Sequence, residues 1–424
     1  AHAAGVPAEV LHLLPGGGDV GAALVQDARV DGVMFTGSLQ VAKLIERNLH
    51  RRAQTREVPL IAETSGVNAM IVDSSALLDQ AVQDVVASAF DSAGQRCSAL
   101  RLLWVQDDVA DRFIEALRGA MAELTLGDPA LLATDIGPVI DDEALQRLQA
   151  HERLLQRDAR LIARVPLPAG APGHFFAPCA YEVATLAPVA QETFGPVLHV
   201  KRYAARELAQ VIERTAALGF ALTFGVHTRL RSQVADVSAH APGGNLYVNR
   251  NMIGAVVGSQ PFGGGRKSGT GPKAGGPWAL LRLMRSAPQP VPGFAADGRP
   301  TAPQRLPSIT GEHNTWQLVP RGVVACAGPD AQALAAQLAL CASLGVPAVD
   351  ACAAPQALAR PDLGAVLRAQ WDADFAGQLA SQREDLLPLV TANGAGYAAW
   401  RLFEERVISD NVAAAGGNVE LLTA

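Results

Sequence analysis

An alternation written into the first fifty residues constrains the fold most strongly. From Val10 to Leu49, short apolar runs take turns with helical runs across glycine: VLHLL, GGGDVG, AALVQDA, GVMF, TGS, VAKLIERNL. Strands that are each followed by a helix pair in parallel, because the crossover returns the chain to the same end of the sheet. Val58–Ala62 and Ala69–Val72 are further short apolar runs between turn residues, as expected of strands covered on both faces, so Glu63 is expected directly after a strand. Leu77–Phe90 places Leu78, Ala81, Val82, Val85, Val86 and Ala89 at helical spacing, with Asp79, Gln83 and Asp84 opposite them. That helix breaks at AGQRCSA before the strand LRLLWV, which puts Cys97 in a helix-to-strand turn. The same alternation runs through Phe194–Val200 and Gly225–Val248, and the glycine-rich block Gly254–Gly276 reads as loop. The expected fold class is α/β, built on parallel sheets.

Composition narrows the function classes. The 424 residues hold 35 Lys+Arg against 41 Asp+Glu, a balance of −6 that excludes a nucleic-acid-coating surface. Five cysteines, odd in number and without a CxxC pair, point to a reducing, cytoplasmic setting. The longest apolar stretch, Ala331–Val349, is broken by Gln332 and Gln337, so no transmembrane segment is expected. The N-terminus lacks a basic region and is expected to begin in mid-fold. Proline-rich, aperiodic text at Ser286–Thr310 reads as a linker, and residues 311–424 read as a second, smaller α/β unit.

Several motifs bear on chemistry. GGGDVG at Gly16–Gly21 satisfies GxGxxG, but Asp31 comes too early and Glu46 too late to be the acidic residue of a dinucleotide fingerprint. FTGS places Gly37 and Ser38 at the start of a helix, where a hydroxyl and free N–H groups suit either a phosphate or a simple cap. GGRKSG at Gly264–Gly269 mimics a P-loop, yet Arg266 and Pro261 occupy its required glycines. No histidine or cysteine spacing suits a metal. Cys97, flanked by Arg96 and Ser98, becomes a nucleophile if a neighbour lowers its pKa, although its loop follows a helix C-terminus where no dipole favours an anion. A buried, inert thiol is the alternative.

Taken together, FTGS (35–38), AETSG (62–66), GQRCS (94–98), ETFGPVL (192–198) and QPFGG (260–264) resemble the aldehyde dehydrogenase superfamily. A closer resemblance is to the glutamate-semialdehyde (pyrroline-5-carboxylate) dehydrogenase module of the proline utilization A family. It is carried by NAMIVDSSA, ASAFDSAGQRCSALR, NRNMIGAVVG, SGTGPKAGGP and the terminal NVAAAGGNVELL. The resemblance implies a partial Rossmann-type NAD domain over 1–64 and a catalytic thiol domain over 65–250. A return segment with an anchor loop follows over 251–285, then the linker over 286–310. The C-terminal domain over 311–424 is implied to assist assembly and cover a channel, with its tail near the dehydrogenase site.

By the same resemblance, Cys97 attacks the aldehyde with its own N–H among the oxyanion donors, and Glu63 activates water against the thioester. Gly37 and Ser38 face the NAD pyrophosphate, while Glu192 and Phe194 place the nicotinamide riboside. Ser98, Gly254 and Ala255 anchor the substrate carboxylate, with Phe262 as an apolar wall. The implied reaction oxidises glutamate γ-semialdehyde to glutamate. A homo-oligomer is implied, and an upstream proline dehydrogenase domain that would bring FAD.

The family also supplies half of the nucleotide fold, a side-chain amide and a lysine upstream of the position of Ala1. The chain is therefore expected to be N-terminally truncated relative to that family and inactive alone. Ser65, Val67, Arg266 and Lys267 depart from the usual pattern, and Ser65 puts a side chain into a turn expected to favour positive φ. A non-catalytic assembly fragment and a dehydrogenase for another aldehyde are the competing readings.

Overall fold

A computed structural model describes residues 2–52, 55–167, 170, 173–284, 287–393 and 396–413. The chain opens with α1 (Gly18–Gln26), β1 (Val33–Thr36), α2 (Leu39–Arg52) and β2 (Leu60–Glu63). β1 and β2 pair in parallel with Thr36 opposite Glu63, and Ala42, Ile45 and Leu49 of α2 pack with Val25 and Leu60. The strand expected at Val10–Leu14 does not form. That run has no neighbouring strand to complete its hydrogen bonds, and Leu13 is 89% exposed. GGGDVG therefore opens α1 without the strand that a dinucleotide fingerprint requires.

Next come β3 (Asn68–Val72), α3 (Leu78–Phe90), β4 (Leu100–Gln106), α4 (Asp107–Ala122), α5 (Asp142–Asp158), β5 (Arg160–Arg164), β6 (Cys179–Glu182) and β7 (Val197–Tyr203). They are followed by α6 (Leu208–Ala216), β8 (Phe220–Ala221), β9 (Thr223–His227), α7 (Arg231–His240), β10 (Asn245–Val248) and the two-residue β11 (Gly265–Arg266), which pairs with β8. The C-terminal chain adds β12 (Gln304–Arg305), β13 (Glu312–Pro320), β14 (Val323–Ala327), α8 (Ala331–Ser343), β15 (Ala348–Asp350) and β16 (Leu363–Arg368). It closes with α9 (Ala373–Gln382), β17 (Leu389–Asn393), β18 (Gly396–Tyr397) and β19 (Phe403–Asn411).

A ten-stranded sheet in the order β12-β13-β19-β10-β9-β3-β4-β7-β6-β5 forms the centre of the molecule. From β19 to β6 its neighbours are parallel, as the alternation demands, and the edges are antiparallel. Every residue of β4 is buried, Arg101 included.

The unit expected from residue 311 is not self-contained. It has its own five-stranded sheet, β15-β14-β16-β17-β18. Its first and last strands, however, enter the central sheet, with Val407 of β19 opposite Asn245 of β10. Nor does the proline-rich stretch hang free. Val291 and Phe294 are buried, and Phe294 stacks on Trp278 at 6.2 Å while meeting Phe403 edge-on at 5.4 Å. Proline removes backbone donors but leaves intervening apolar side chains free to pack. The tail expected near the dehydrogenase site lies outside the described residues from 414 onward.

Glu57, just before β2, ties the first unit to the last. It accepts from Arg282 Nη2 at 2.9 Å and from Arg401 Nη1 at 2.7 Å. Burial pushes its carboxyl up, but the two guanidinium groups prevail and hold it at about 2. A carboxylate with a lowered folded pKa stabilises above its unfolded pKa, and that contribution vanishes as pH falls through the folded value. Glu57→Gln should therefore lower the thermal midpoint at pH 7 and leave it unchanged near pH 2, as measured by calorimetry.

Candidate active site

The turn that presents Cys97 is strained and held from several sides. After α3, Ser92 (φ 57°), Ala93 (φ 54°) and Gly94 (φ 64°) are left-handed in succession, a state that L-residues avoid by about 1–2 kcal/mol each. Arg96 Nε donates to Ser92 Oγ at 2.9 Å. A Cβ on Gly94 would lie 2.3 Å from the Gly195 carbonyl oxygen, so no other residue fits there. Asn68 Nδ2 donates to the carbonyls of Cys97 at 2.6 Å and Ala99 at 2.8 Å, and its Oδ1 accepts from the Thr223 N–H at 3.1 Å. Gly66 lets these backbones approach, since a Cβ there would come within 2.6 Å of the Cys97 oxygen.

Burial raises the pKa of the Cys97 thiol, and the charges of Glu63 and Glu192 add to the effect. The N–H groups of Ser98 and Cys97 itself pull the other way. The group is therefore a thiol at neutral pH until a base or a bound ligand changes its surroundings.

Arg101 organises the far side. Its guanidinium reaches the carbonyls of Gly195 at 2.9 Å and Arg96 at 3.2 Å and pairs with Glu192 Oε1 at 3.1 Å. It also lies 5.5 Å from the ring centroid of Phe194, which is itself 47% exposed. Glu192 Oε2 accepts from the Gly66 N–H at 3.1 Å, and burial raises the Glu192 pKa against these bonds and one from Ser65. Ser65 does not adopt the positive φ expected of its turn. Instead its Oγ accepts from the N–H of Leu39 at 3.4 Å, joining the start of α2 to Glu192. Gly37 and Ser38 are exposed there, with Ser38 Oγ accepting from the Val41 N–H at 3.3 Å as a cap.

Glu63 ends β2. Its Oε2 accepts from the Gly264 N–H at 2.9 Å, while Oε1 is buried without a protein partner. Burial lifts its pKa to about 8 against the Gly264 bond and the nearby Lys273 charge. Burial likewise lowers Lys273, whose Nζ donates to Asn245 Oδ1 at 2.9 Å. The Lys273 N–H donates to Glu405 Oε2 at 2.7 Å, and Trp316 Nε1 donates to Glu405 Oε1 at 3.0 Å. The surroundings of Glu63 thus include residues of β13 and β19. A cavity of about 910 Å³, counted with its open mouth, lies behind Glu63 and is lined by Gly263, Lys273, Trp371 and Arg321; it does not open at Cys97.

Ser98 is buried beside Cys97, and its carbonyl accepts from Thr223 Oγ1 at 3.3 Å. The expected anchor residues Gly254 (φ 72°, exposed) and Ala255 lie in a loop whose base is tied to α3 through the Met252 N–H and Ser88 Oγ at 3.1 Å. Half-buried Phe262 is held by paired backbone bonds to Ala274 at 3.0 and 2.8 Å. Val67 joins the core under the sheet. Arg266 and Lys267 reach the C-terminal unit, at the Pro361 carbonyl (2.7 Å) and Glu384 (2.6 Å).

Sequence reasoning missed Asn68, Arg101, Lys273 and Glu405. The first two carried a signal, a polar or charged residue inside an apolar strand run. The last two did not, because their partners lie far along the chain.

With Glu63 and Glu192 both within electrostatic reach of Cys97, the class of protein is defined by comparison. The aldehyde dehydrogenase family model matches residues 1–287, and the chain belongs to that family. Particular relatives are more specific. The bifunctional protein PutA of Salmonella typhimurium is 44% identical over 499 aligned positions, covering 99% of this chain and 38% of that protein. A 1-pyrroline-5-carboxylate dehydrogenase of Geobacillus kaustophilus is 37% identical over 289 positions, covering 67% of this chain and 55% of its own length. Among solved structures, a proline utilization A mutant from Bradyrhizobium japonicum superposes with a TM-score of 0.64 at 51% identity, over 66% of this chain and 29% of that one. A 1-pyrroline-5-carboxylate dehydrogenase from Thermus with bound NAD gives 0.62 at 34% identity, over 66% and 55%. The chain spans about two fifths of the length of the PutA relatives.

The charges around Cys97 make a prediction. At pH 9, where Glu63 is ionised, Glu63→Gln should speed alkylation of Cys97 by iodoacetamide by a factor on the order of 3–10, since removing a neighbouring anion eases thiol ionisation. Peptide mass spectrometry reads the rate at Cys97, and an unchanged rate would contradict the arrangement.

Proposed function

We propose that this site oxidises L-glutamate γ-semialdehyde, the open form of pyrroline-5-carboxylate, to L-glutamate with NAD. The observation that carries the reading is that Glu63 and Glu192 both lie within electrostatic reach of the Cys97 thiol, with Glu192 bonded to Gly66 beside the Cys97 carbonyl. The names of the relatives set the substrate class. Since those proteins are longer, an upstream proline dehydrogenase unit with FAD, a homo-oligomer and a cytoplasmic setting belong to the same proposal.

The residues present fit NAD. Gly37 and Ser38 lie exposed at the start of α2, a 14-residue helix whose N-terminal amides suit a pyrophosphate. Glu192, oriented by Arg101 and Gly66, offers carboxylate acceptors for ribose hydroxyls beside the exposed Phe194 ring. When bound, NAD supplies the hydride acceptor.

Cys97 Sγ, its proton passing to solvent, forms a bond to the aldehyde carbon as the C=O π bond opens onto oxygen, and gives a tetrahedral thiohemiacetal. The backbone N–H of Cys97 is a donor for its oxyanion. Loss of hydride leaves a thioester on Cys97. Glu63 then takes a proton from a water molecule, whose oxygen attacks the thioester carbon, and the C–S bond breaks to release glutamate and the thiolate. The raised pKa of Glu63 suits a base that must give its proton up again. Ser98 and the N–H groups of Gly254 and Ala255 hold the substrate carboxylate, and Phe262 flanks its methylenes.

In the protein as expressed from its own gene, Cys97→Ala should abolish aldehyde-dependent NADH formation. Retained turnover would refute the reading. Glu63→Gln should leave a burst of NADH and lower the steady rate by about 10²–10⁴-fold. Its kcat should also lose the rise with pH through about 8 that is expected of the native enzyme, because only the ionised carboxylate acts as base.

A further inference from the structure

The anchor loop has two shoulders, Arg250 and Gln260, and one carboxylate from the far end of the chain holds both. Glu312 opens β13, beyond the residues that the family model matches. Its Oε2 accepts from Arg250 Nη1, and its Oε1 accepts from Gln260 Nε2. All three groups are shielded, with the Arg250 and Glu312 side chains only 14% and 6% exposed and Gln260 buried.

Each shoulder is then fixed in turn. Gln260 Oε1 accepts from the Val256 N–H at 3.0 Å, and the Gln260 N–H donates to the Val256 carbonyl at 2.8 Å, closing the loop on itself. Arg250 Nε donates to the Asn251 carbonyl at 3.1 Å, and its guanidinium lies 5.2 Å from the Tyr247 ring centroid. Between the shoulders, Gly254 and residues 256–258 are open to solvent. Gly254 and Gly258 have φ of 72° and 85°, and Val257 is 87% exposed. A loop of this kind keeps one shape only if its ends are pinned.

We propose that Glu312 is the positioning residue of the anchor loop, setting the Gly254 and Ala255 N–H groups for a substrate carboxylate. The inference rests on the substrate reading given above and adds what decides its specificity. Glu312 touches no substrate itself. Its acceptor pair fixes the orientation of the Gln260 amide, whose NH₂ must face Glu312 so that its oxygen can face Val256.

Glu312→Gln tests this at nearly constant volume. A glutamine amide can accept from only one shoulder, so it turns its NH₂ toward Gln260 or Arg250 and breaks the pairing. Gln260→Leu is the second variant, because it opens the loop and leaves both partners of the Arg250–Glu312 pair in place. In the protein as expressed from its own gene, both variants should raise KM for glutamate semialdehyde by about tenfold, corresponding to about 1.4 kcal/mol of lost binding. The kcat for that substrate, and KM for pentanal, should stay within about twofold of native. Equal losses on the two aldehydes would show a merely structural residue and overturn the proposal, as would an unchanged KM. Should Glu312→Gln lower the melting temperature so far that it cannot be assayed, Gln260→Leu decides by the same criterion. If the native protein itself does not prefer the carboxylated aldehyde, the substrate reading fails; if it does and the variants keep that preference, the Glu312 assignment fails.

Discussion

The buried guanidinium of Arg101 is the contact from which the rest of the site is built. It stands on a strand with no exposed residue, paired with Glu192 and bonded to the carbonyls of Arg96 in the Cys97 turn and of Gly195 beside it. Leaving either charge of such a pair alone costs about 3–5 kcal/mol, so the pair constrains every element that meets it. Gly195 is held beside Gly94, the Arg96 carbonyl is fixed one residue before Cys97, and Glu192 is turned toward Gly66. The left-handed run at Ser92–Gly94 persists because these bonds over-determine it.

A second constraint comes from the other end of the chain. Glu405 of β19 holds Lys273, and Lys273 sits within electrostatic reach of Glu63. Glu312 of β13 pins the loop expected to bind substrate. Strands that read as part of a separate unit therefore supply buried carboxylates to the surroundings of the candidate site. Arg266 and Lys267, which depart from the family pattern, reach back to the same C-terminal unit.

What could be read from the sequence followed from local periodicity. The alternation of apolar runs and helices gave the parallel core, and the break at AGQRCSA gave the turn carrying Cys97. The errors were also local readings. Val10–Leu14 looked like a strand because it is apolar, yet a strand needs a neighbour that periodicity does not reveal. The proline-rich stretch reads as a linker from its composition, and only the tertiary structure shows Val291 and Phe294 of it inserted into a cluster of tryptophans supplied by residues 278, 316 and 400. Ser65 was expected to strain its turn and instead bridges α2 to Glu192.

The sequence by itself determined the class of fold, the turn that carries the thiol and the strand-end carboxylate of β2, because each is signalled by spacing within about a dozen residues. Tertiary structure alone decided what those groups are like. The pKa of Glu63 depends on burial, on Gly264 and Lys273 some two hundred positions away, and on Glu405 still further along. Electrostatics and desolvation act over ångströms of space and not over sequence separation, so the chemistry of the site became legible only once β13 and β19, from the far end of the chain, joined the central sheet.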